Sequence, residues 1–249
     1  MKVISIINQK GGVGKSTTAL ALGSGLSLKG YRTLFIDLDA QGNLTYALGA
    51  DNGGLNVFDV LKGGAKAARA IQNTNQGALL TSSPSLAGAD TVLTQTGKEY
   101  FLKEAVESLG DAFDYVIVDT PPALGILTVN ALTASTGALI PAQADIFSLQ
   151  GINRLYTTLD AVKKYCNPDL KVMGILLTRY SGRSVISREV AEMISSTANQ
   201  LDTKLYEAKI RENTAVKEAQ ARRQSIFEYA PKSNAAADYA ALIEEILES

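Results

Sequence analysis

The chain has 249 residues, 46% hydrophobic and 20% charged, with a formal net charge of −1; this suits one α/β domain able to bury a core of useful size. It contains no histidine and a single cysteine, Cys166, which excludes His-dependent triads, His-ligated zinc sites and an internal disulfide. No run of roughly 18 apolar residues occurs, and the apolar stretch in MKVISIINQK is too short for a secretory signal, so a cytosolic protein is expected.

In chain order, KVISIIN (2–8) reads as a first strand, followed by the loop NQKGGVGKST (8–17) and a helix over 16–29. TLFIDLD (33–39) is a second strand. The stretch 50–96, with ADNGGLN, KGGAKAARA and TSSPSLAGAD, is rich in turn formers and reads as a loop-and-helix excursion, not a separate domain. A helix over 97–109 leads to the strand YVIVDTP (115–121). A helix over 126–135, the strand ALIPAQ (138–143), a helix over 147–165, the strand VMGILLTRY (172–180) and a helix over 184–200 follow, with a last helix over 234–248. The near-continuous apolar strands mark a sheet buried on both faces. Their alternation with helices predicts a single doubly wound α/β domain over 1–249, mostly parallel β-sheet flanked by helices, with ligands at the C-terminal ends of the strands.

The loop is the strongest chemical signal. It follows a predicted strand and opens a predicted helix, as a phosphate-binding loop requires. The amides of Gly11, Gly12, Val13, Gly14, Lys15 and Ser16 can line a nest reinforced by the helix N-terminus. In this reading Lys15 reaches the β/γ-phosphates of ATP, Ser16 binds Mg²⁺ and Thr17 touches the α-phosphate. A plain glycine turn accounts for the glycines but not for the GKST that follows; K-G-G-x-G-K-[ST] arises by chance on the order of 10⁻⁷ per position.

Two acidic motifs fall at other strand ends. In FIDLDAQGN (35–43), Asp37 and Asp39 stand two apart on the predicted strand and so project to one face. Paired carboxylates beside a triphosphate either help to hold Mg²⁺ or position water; capping of a helix is the alternative. In YVIVDTPP (115–122), Asp119 ends four apolar positions and is placed to contact Mg²⁺ through water.

The loop departs from G-x-x-x-x-G-K-[ST], with Gln9 where the first glycine belongs and Lys10 next to it. That departure resembles the deviant Walker A motif of the ParA/MinD family of P-loop ATPases. The resemblance implies that Lys10 reaches across a nucleotide-sandwich homodimer to the partner subunit's phosphates, that Asp39 orients the attacking water, that Asp37 lies near the metal through water, and that the segment after Asp119 senses the γ-phosphate. It continues through PAQADIFSLQGINRL (141–155), GILLTRYSGRS (174–184) and IRENTAVKEAQARRQSIFEYAPKSNAAADY (210–239), essentially the full chain. In that family Thr178, Arg179 and a loop near Pro231 lie by the adenine. ARRQ (221–224) stands where the family usually has a glycine-containing turn.

Within the family, a lone Cys166 excludes the iron–sulfur reductases, and one loop argues against the duplicated anion pumps. The tail AALIEEILES carries acidic polar positions where MinD proteins have a basic membrane-binding helix, so a helix packed on the domain and no membrane partner are expected. What remains is the ParA/Soj branch, implying an ATP-dependent dimer, nonspecific double-stranded DNA, a ParB-like activator and a nucleoid-associated location. The sequence starts directly at the first strand, so a helix-turn-helix operator-binding domain is not expected. From Lys171 to Lys232 there are 11 Lys+Arg against 7 Asp+Glu. Arg183, Arg188, Arg211, Lys217, Arg222 and Arg223 are the candidate phosphate contacts as a group; a solvated face of mixed charge is the other reading. A same-family ATPase that positions a protein cargo, or a nucleotide-dependent interaction switch without DNA binding, are the alternatives.

Overall fold

The computed structural model describes residues 1–51 and 53–248. Eight strands form one sheet: β1 (Lys2–Ile6), β2 (Thr33–Asp37), β3 (Ile71–Thr74), β4 (Gly77–Leu80), β5 (Tyr115–Asp119), β6 (Gly137–Ala142), β7 (Lys171–Tyr180) and β8 (Leu205–Arg211). Their spatial order is β3-β4-β2-β5-β1-β6-β7-β8. All neighbours are parallel except the β3–β4 edge hairpin. The predicted doubly wound, mostly parallel sheet is therefore present, and the strand-end rule places ligands beside β1, where the chain switches from one side of the sheet to the other.

The helices are α1 (Lys15–Leu28), α2 (Asn43–Ala47), α3 (Val57–Leu61), α4 (Ala67–Ala70), α5 (Ala89–Val92), α6 (Phe101–Glu107), α7 (Ile126–Ala134), α8 (Ile146–Tyr165), α9 (Val185–Gln200), α10 (Thr214–Ala221), α11 (Ile226–Tyr229) and α12 (Asn234–Leu247). One face of the sheet carries α1 and α10–α12, cored by Leu22, Phe35, Tyr239 and Ile243. The other face carries α3–α7 over β2, β4 and β5, then α7–α9 over β6 and β7. The tail is packed as expected: Leu242, Ile243 and Ile246 are buried. Gly25 in α1 permits this, since a Cβ there would lie 2.2 Å from Cδ1 of Ile243. No helix among the described residues is long and apolar enough to cross a membrane.

Several boundaries differ from the sequence reading. The second strand ends at Asp37, because the Asp37 carboxylate accepts the Asp39 amide at 3.1 Å and turns the chain away. Asp37 and Asp39 consequently do not share a strand face. The helix expected over 97–109 starts as a 3₁₀ turn at Lys98–Tyr100, after Gly97 at φ 79°, and is α-helical only from Phe101. The excursion over 50–96 contains the edge hairpin as well as helices, and β8 and α10 occupy a stretch to which no elements were assigned.

Candidate nucleotide site

The loop leaves β1 and enters α1 with Gly12 at φ 74° and Gly14 at φ 87°. Both are left-handed conformations that cost side-chain-bearing residues but not glycine. Gly14 is the N-cap of α1 and supplies no side chain, so no cap bond closes the first-turn amides. An open helix N-terminus beside a nest of amides attracts anions.

Side chains from neighbouring strand ends hold the loop in place. Asn8 donates to the Pro141 carbonyl at 2.7 Å and accepts the Lys10 amide at 2.9 Å. Thr178, at the end of β7, donates its hydroxyl to the Val13 carbonyl at 2.8 Å. Gln143 donates to Gly12, and Gln220 of α10 donates to the Thr17 hydroxyl at 2.9 Å. A cleft of about 570 Å³ opens over this frame, lined by Gly11, Lys15, Ser16, Thr17, Asp39 and Pro122 among others. A smaller cleft of about 180 Å³ shares Gly12, Gly14 and Thr17 and runs to Thr178 and Arg179. A groove of about 640 Å³ at the opposite end of the sheet is larger, but it contains none of these motifs.

The electrostatics of the larger cleft's floor are set by burial. Asp37 and Asp119 end adjacent strands and are cross-strand register partners, both fully buried. Burial raises Asp37 to about 6, against the hydroxyl and amide of Thr45, which bind its carboxylate at 2.7 and 2.8 Å. Burial, then the charge of Asp37, raises Asp119 well above the usual carboxylate range. Neither Asp119 oxygen has a hydrogen-bond partner; the Ser16 hydroxyl lies close enough to lower its pKa without completing a bond. Lys15 is itself buried, and desolvation lowers its pKa while Asp119 and Asp39 oppose that shift. An orphaned carboxylate with a buried ammonium nearby is a site waiting for further charge.

The structure gathers Gly11, Gly12, Gly14, Lys15, Ser16, Thr17 and Asp39 around one cleft, with Asp37 and Asp119 behind it. Val13 is buried and anchors the loop. Thr178 and Arg179 line the smaller cleft with Glu212 and Asn213, and Arg179 pairs with Glu212 at 2.6 Å. Pro231 follows α11 at an exposed position and is not among the residues lining that cleft.

Lys10 points elsewhere. Its ammonium lies 2.5 Å from Asp145, with Gln143 and Ser148 at 3.3 and 3.4 Å. Partial burial pushes the Asp145 carboxyl up, but Lys10 and the Ser148 amide together hold it below its usual value.

The six basic candidates do not form one continuous surface of free charges. Arg183 and Arg188 flank the start of α9, with Arg188 donating to the Gly182 carbonyl. Arg211 is held by Asp238 at 2.6 Å. Lys217 is exposed on α10; Arg222 lies over the Tyr229 ring and Arg223 over the Tyr46 ring. Sequence reasoning missed Asn8, Gln143, Asp145 and Gln220. The first three lie at strand ends, so the rule that selected Asp119 also points to them; Gln220 comes from a helix 203 residues from its partner and carries no local signal.

Residues 1–172 match a family model described as an AAA domain. The chain is 38% identical to sporulation initiation inhibitor protein Soj of Bacillus subtilis, covering 98% of each chain. It is 36% identical to chromosome partitioning protein ParA of Myxococcus xanthus, covering 99% of this chain and 88% of that one. Among solved structures it is similar to cobyrinic acid a,c-diamide synthase from Mycobacterium smegmatis with bound ATP analog and magnesium, at 34% identity and TM-score 0.86, covering 100% of this chain and 94% of the other.

Proposed function

Because the chain belongs to the ParA/Soj family of chromosome-partitioning ATPases, we propose that it binds ATP with magnesium at the end of β1, closes into a nucleotide-sandwich dimer, binds duplex DNA without sequence preference and hydrolyses ATP when a ParB-like partner stimulates it. In this reading it is a nucleoid-associated segregation switch. The observation that carries it is the buried Lys15 beside the unpartnered Asp119 carboxylate, beneath a loop whose helix amides are open.

The residues present fit magnesium. The ion takes oxygen ligands and keeps several waters, and Ser16 and Asp119, backed by Asp37, would hold it with phosphate and water supplying the rest. When bound it neutralises phosphate charge. The chain's own groups do the positioning. The amides from Gly11 to Thr17 bind the phosphates, Lys15 neutralises them, and Thr178 and Arg179 border the base. Asp39, which lines the cleft and is held there by the Gln41 amide on its carboxylate at 3.0 Å and the Ser82 hydroxyl on its carbonyl, orients the attacking water. Lys10 acts on the partner's nucleotide after leaving Asp145. Of the basic set, Arg183, Arg188, Lys217, Arg222 and Arg223 contact phosphates; Arg211, also exposed but held by Asp238, serves the fold first.

The test is duplex DNA binding with ATP and magnesium, with ADP, and without nucleotide, over a salt series. ATP-dependent, salt-sensitive binding is expected. Absence of binding in every state would overturn the DNA part of this reading and leave the ATPase part standing.

A further inference from the structure

Arg223 has the backbone of a glycine. It follows α10 at φ 57°, and the two bonds that close the helix, from the Gln224 amide to Ala219 and from the Arg223 amide to Gln220, both 3.0 Å, define a Schellman turn. Such a position favours glycine, and strain kept at one residue directs attention to what its side chain touches. The guanidinium lies 4.8 Å from the centre of the Tyr46 ring, and its stem passes 3.6 Å from a Cβ built on Gly49. The Arg223 carbonyl accepts from Gln76, whose own oxygen is held by Ser24 at 2.8 Å. The turn is thus fixed from below while the guanidinium remains exposed.

Tyr46 belongs to α2, next to Thr45, the residue that binds Asp37 through both amide and hydroxyl. Asp37 in turn holds the Asp39 amide. At the other side of the same helix turn, Gln220 holds Thr17 in the phosphate loop. The end of α10 therefore grips both the loop that carries the phosphates and the turn that carries the water-positioning aspartate.

We propose that Arg223 is a positioning residue that clamps α2 to α10 through Tyr46, and that the phosphates of duplex DNA compete with the ring for its guanidinium, transmitting DNA binding to Asp39. This inference rests on the ATPase reading of the site. An exposed cation over a ring is weakly held, whereas a guanidinium–phosphate contact is charge-assisted and bidentate. Arg222, the exposed C-cap beside it, adds a second positive charge for the phosphates.

The experiment measures ATP turnover of the full chain with magnesium, with and without saturating duplex DNA, for the wild type, Arg223→Gly, Tyr46→Leu and Tyr46→Phe. The wild-type turnover is expected to change several-fold with DNA. Arg223→Gly, which relieves the backbone, and Tyr46→Leu should turn over without DNA at the wild type's DNA-bound rate and show no further response. Tyr46→Phe, which keeps the ring, should respond as the wild type does. In DNA binding, Arg223→Gly should lower the salt slope by about one, whereas Tyr46→Leu should leave it unchanged. A normal DNA response in Tyr46→Leu or in Arg223→Gly overturns the clamp, as does a wild type that hydrolyses ATP and binds DNA but whose turnover ignores it. A wild type that neither hydrolyses ATP nor binds DNA overturns the proposed function as well.

Discussion

Lys10 and Asp145 form an ion pair at 2.5 Å within one chain, in which the lysine expected to serve a partner's nucleotide is bound to the N-cap of its own α8. About a third of each side chain is exposed, 30% and 33%, so the pair contributes no more than about 1 kcal/mol. Breaking it therefore costs little on the way to the proposed dimer. Asp145→Asn keeps a good N-cap and should tighten ATP-induced dimerisation by up to about 5-fold. Lys10→Ala should retain ATP and lose the dimer. Light scattering with ATP and magnesium checks both; an unchanged dimer in Lys10→Ala sinks the action in trans.

Lys15→Ala removes the buried ammonium that faces the phosphate cleft. A hydrogen bond to a charged group contributes about 1.5–3 kcal/mol, so ATP affinity should fall by roughly 10- to 100-fold, measured by titration calorimetry. Asp39→Ala should leave that affinity within a few-fold and lower turnover by about 10²-fold or more. Normal hydrolysis in this variant refutes the role given to Asp39.

The buried acids predict a pH dependence with a definite sign. Burial raises Asp37 to about 6 and also raises Asp119 well above the ordinary carboxylate range, so above about pH 4 the folded chain keeps protons that the unfolded chain has released. Stability without nucleotide then falls as pH rises through the folded pKa values, and is fully retained only below the unfolded ones. Asp119→Asn removes one of these buried charges, the one whose carboxylate has no hydrogen-bond partner. Its melting temperature should exceed the wild type's at about pH 8 and converge with it towards about pH 4. A difference independent of pH would assign the effect to packing.

Ile243→Ala empties the contact between α12 and α1 and should cost about 2–5 kcal/mol, read by urea unfolding. Membrane flotation of the full chain should be unaffected by this change, because Ile243 faces Gly25 and Phe227 and not solvent.

The sequence made the centre of the sheet legible and its borders less so. β1, β2, β5 and β6 have almost every residue buried, and continuous apolar runs report that directly. β8, LYEAKIR, alternates buried and exposed residues at one sheet edge; its period of two was present, but a search for continuous runs passes over it. The short β3, IQNT, has no fully buried residue, so its pairing with β4 leaves little trace in composition. The phosphate loop was legible because its geometry is local. The partners of Lys10, Asp37 and Thr17 were not, because they are fixed by folding: nothing local marks Thr45 until α2 brings its amide and hydroxyl to Asp37. The arginine at the glycine-like turn after α10 was visible as an oddity of ARRQ, and only the tertiary fold shows the ring beneath it.

The place of β1 between β5 and β6 also has a consequence for synthesis. β1 pairs with residues 115–119 and 137–139, so once it has left the ribosome it has no sheet neighbour until more than 100 further residues have been made. At bacterial or eukaryotic elongation rates that wait is roughly 5 to 20 s. Throughout it, the apolar KVISI segment is an unpaired edge open to chaperones or to another nascent chain, and the lysine loop behind it has no frame on which to take shape.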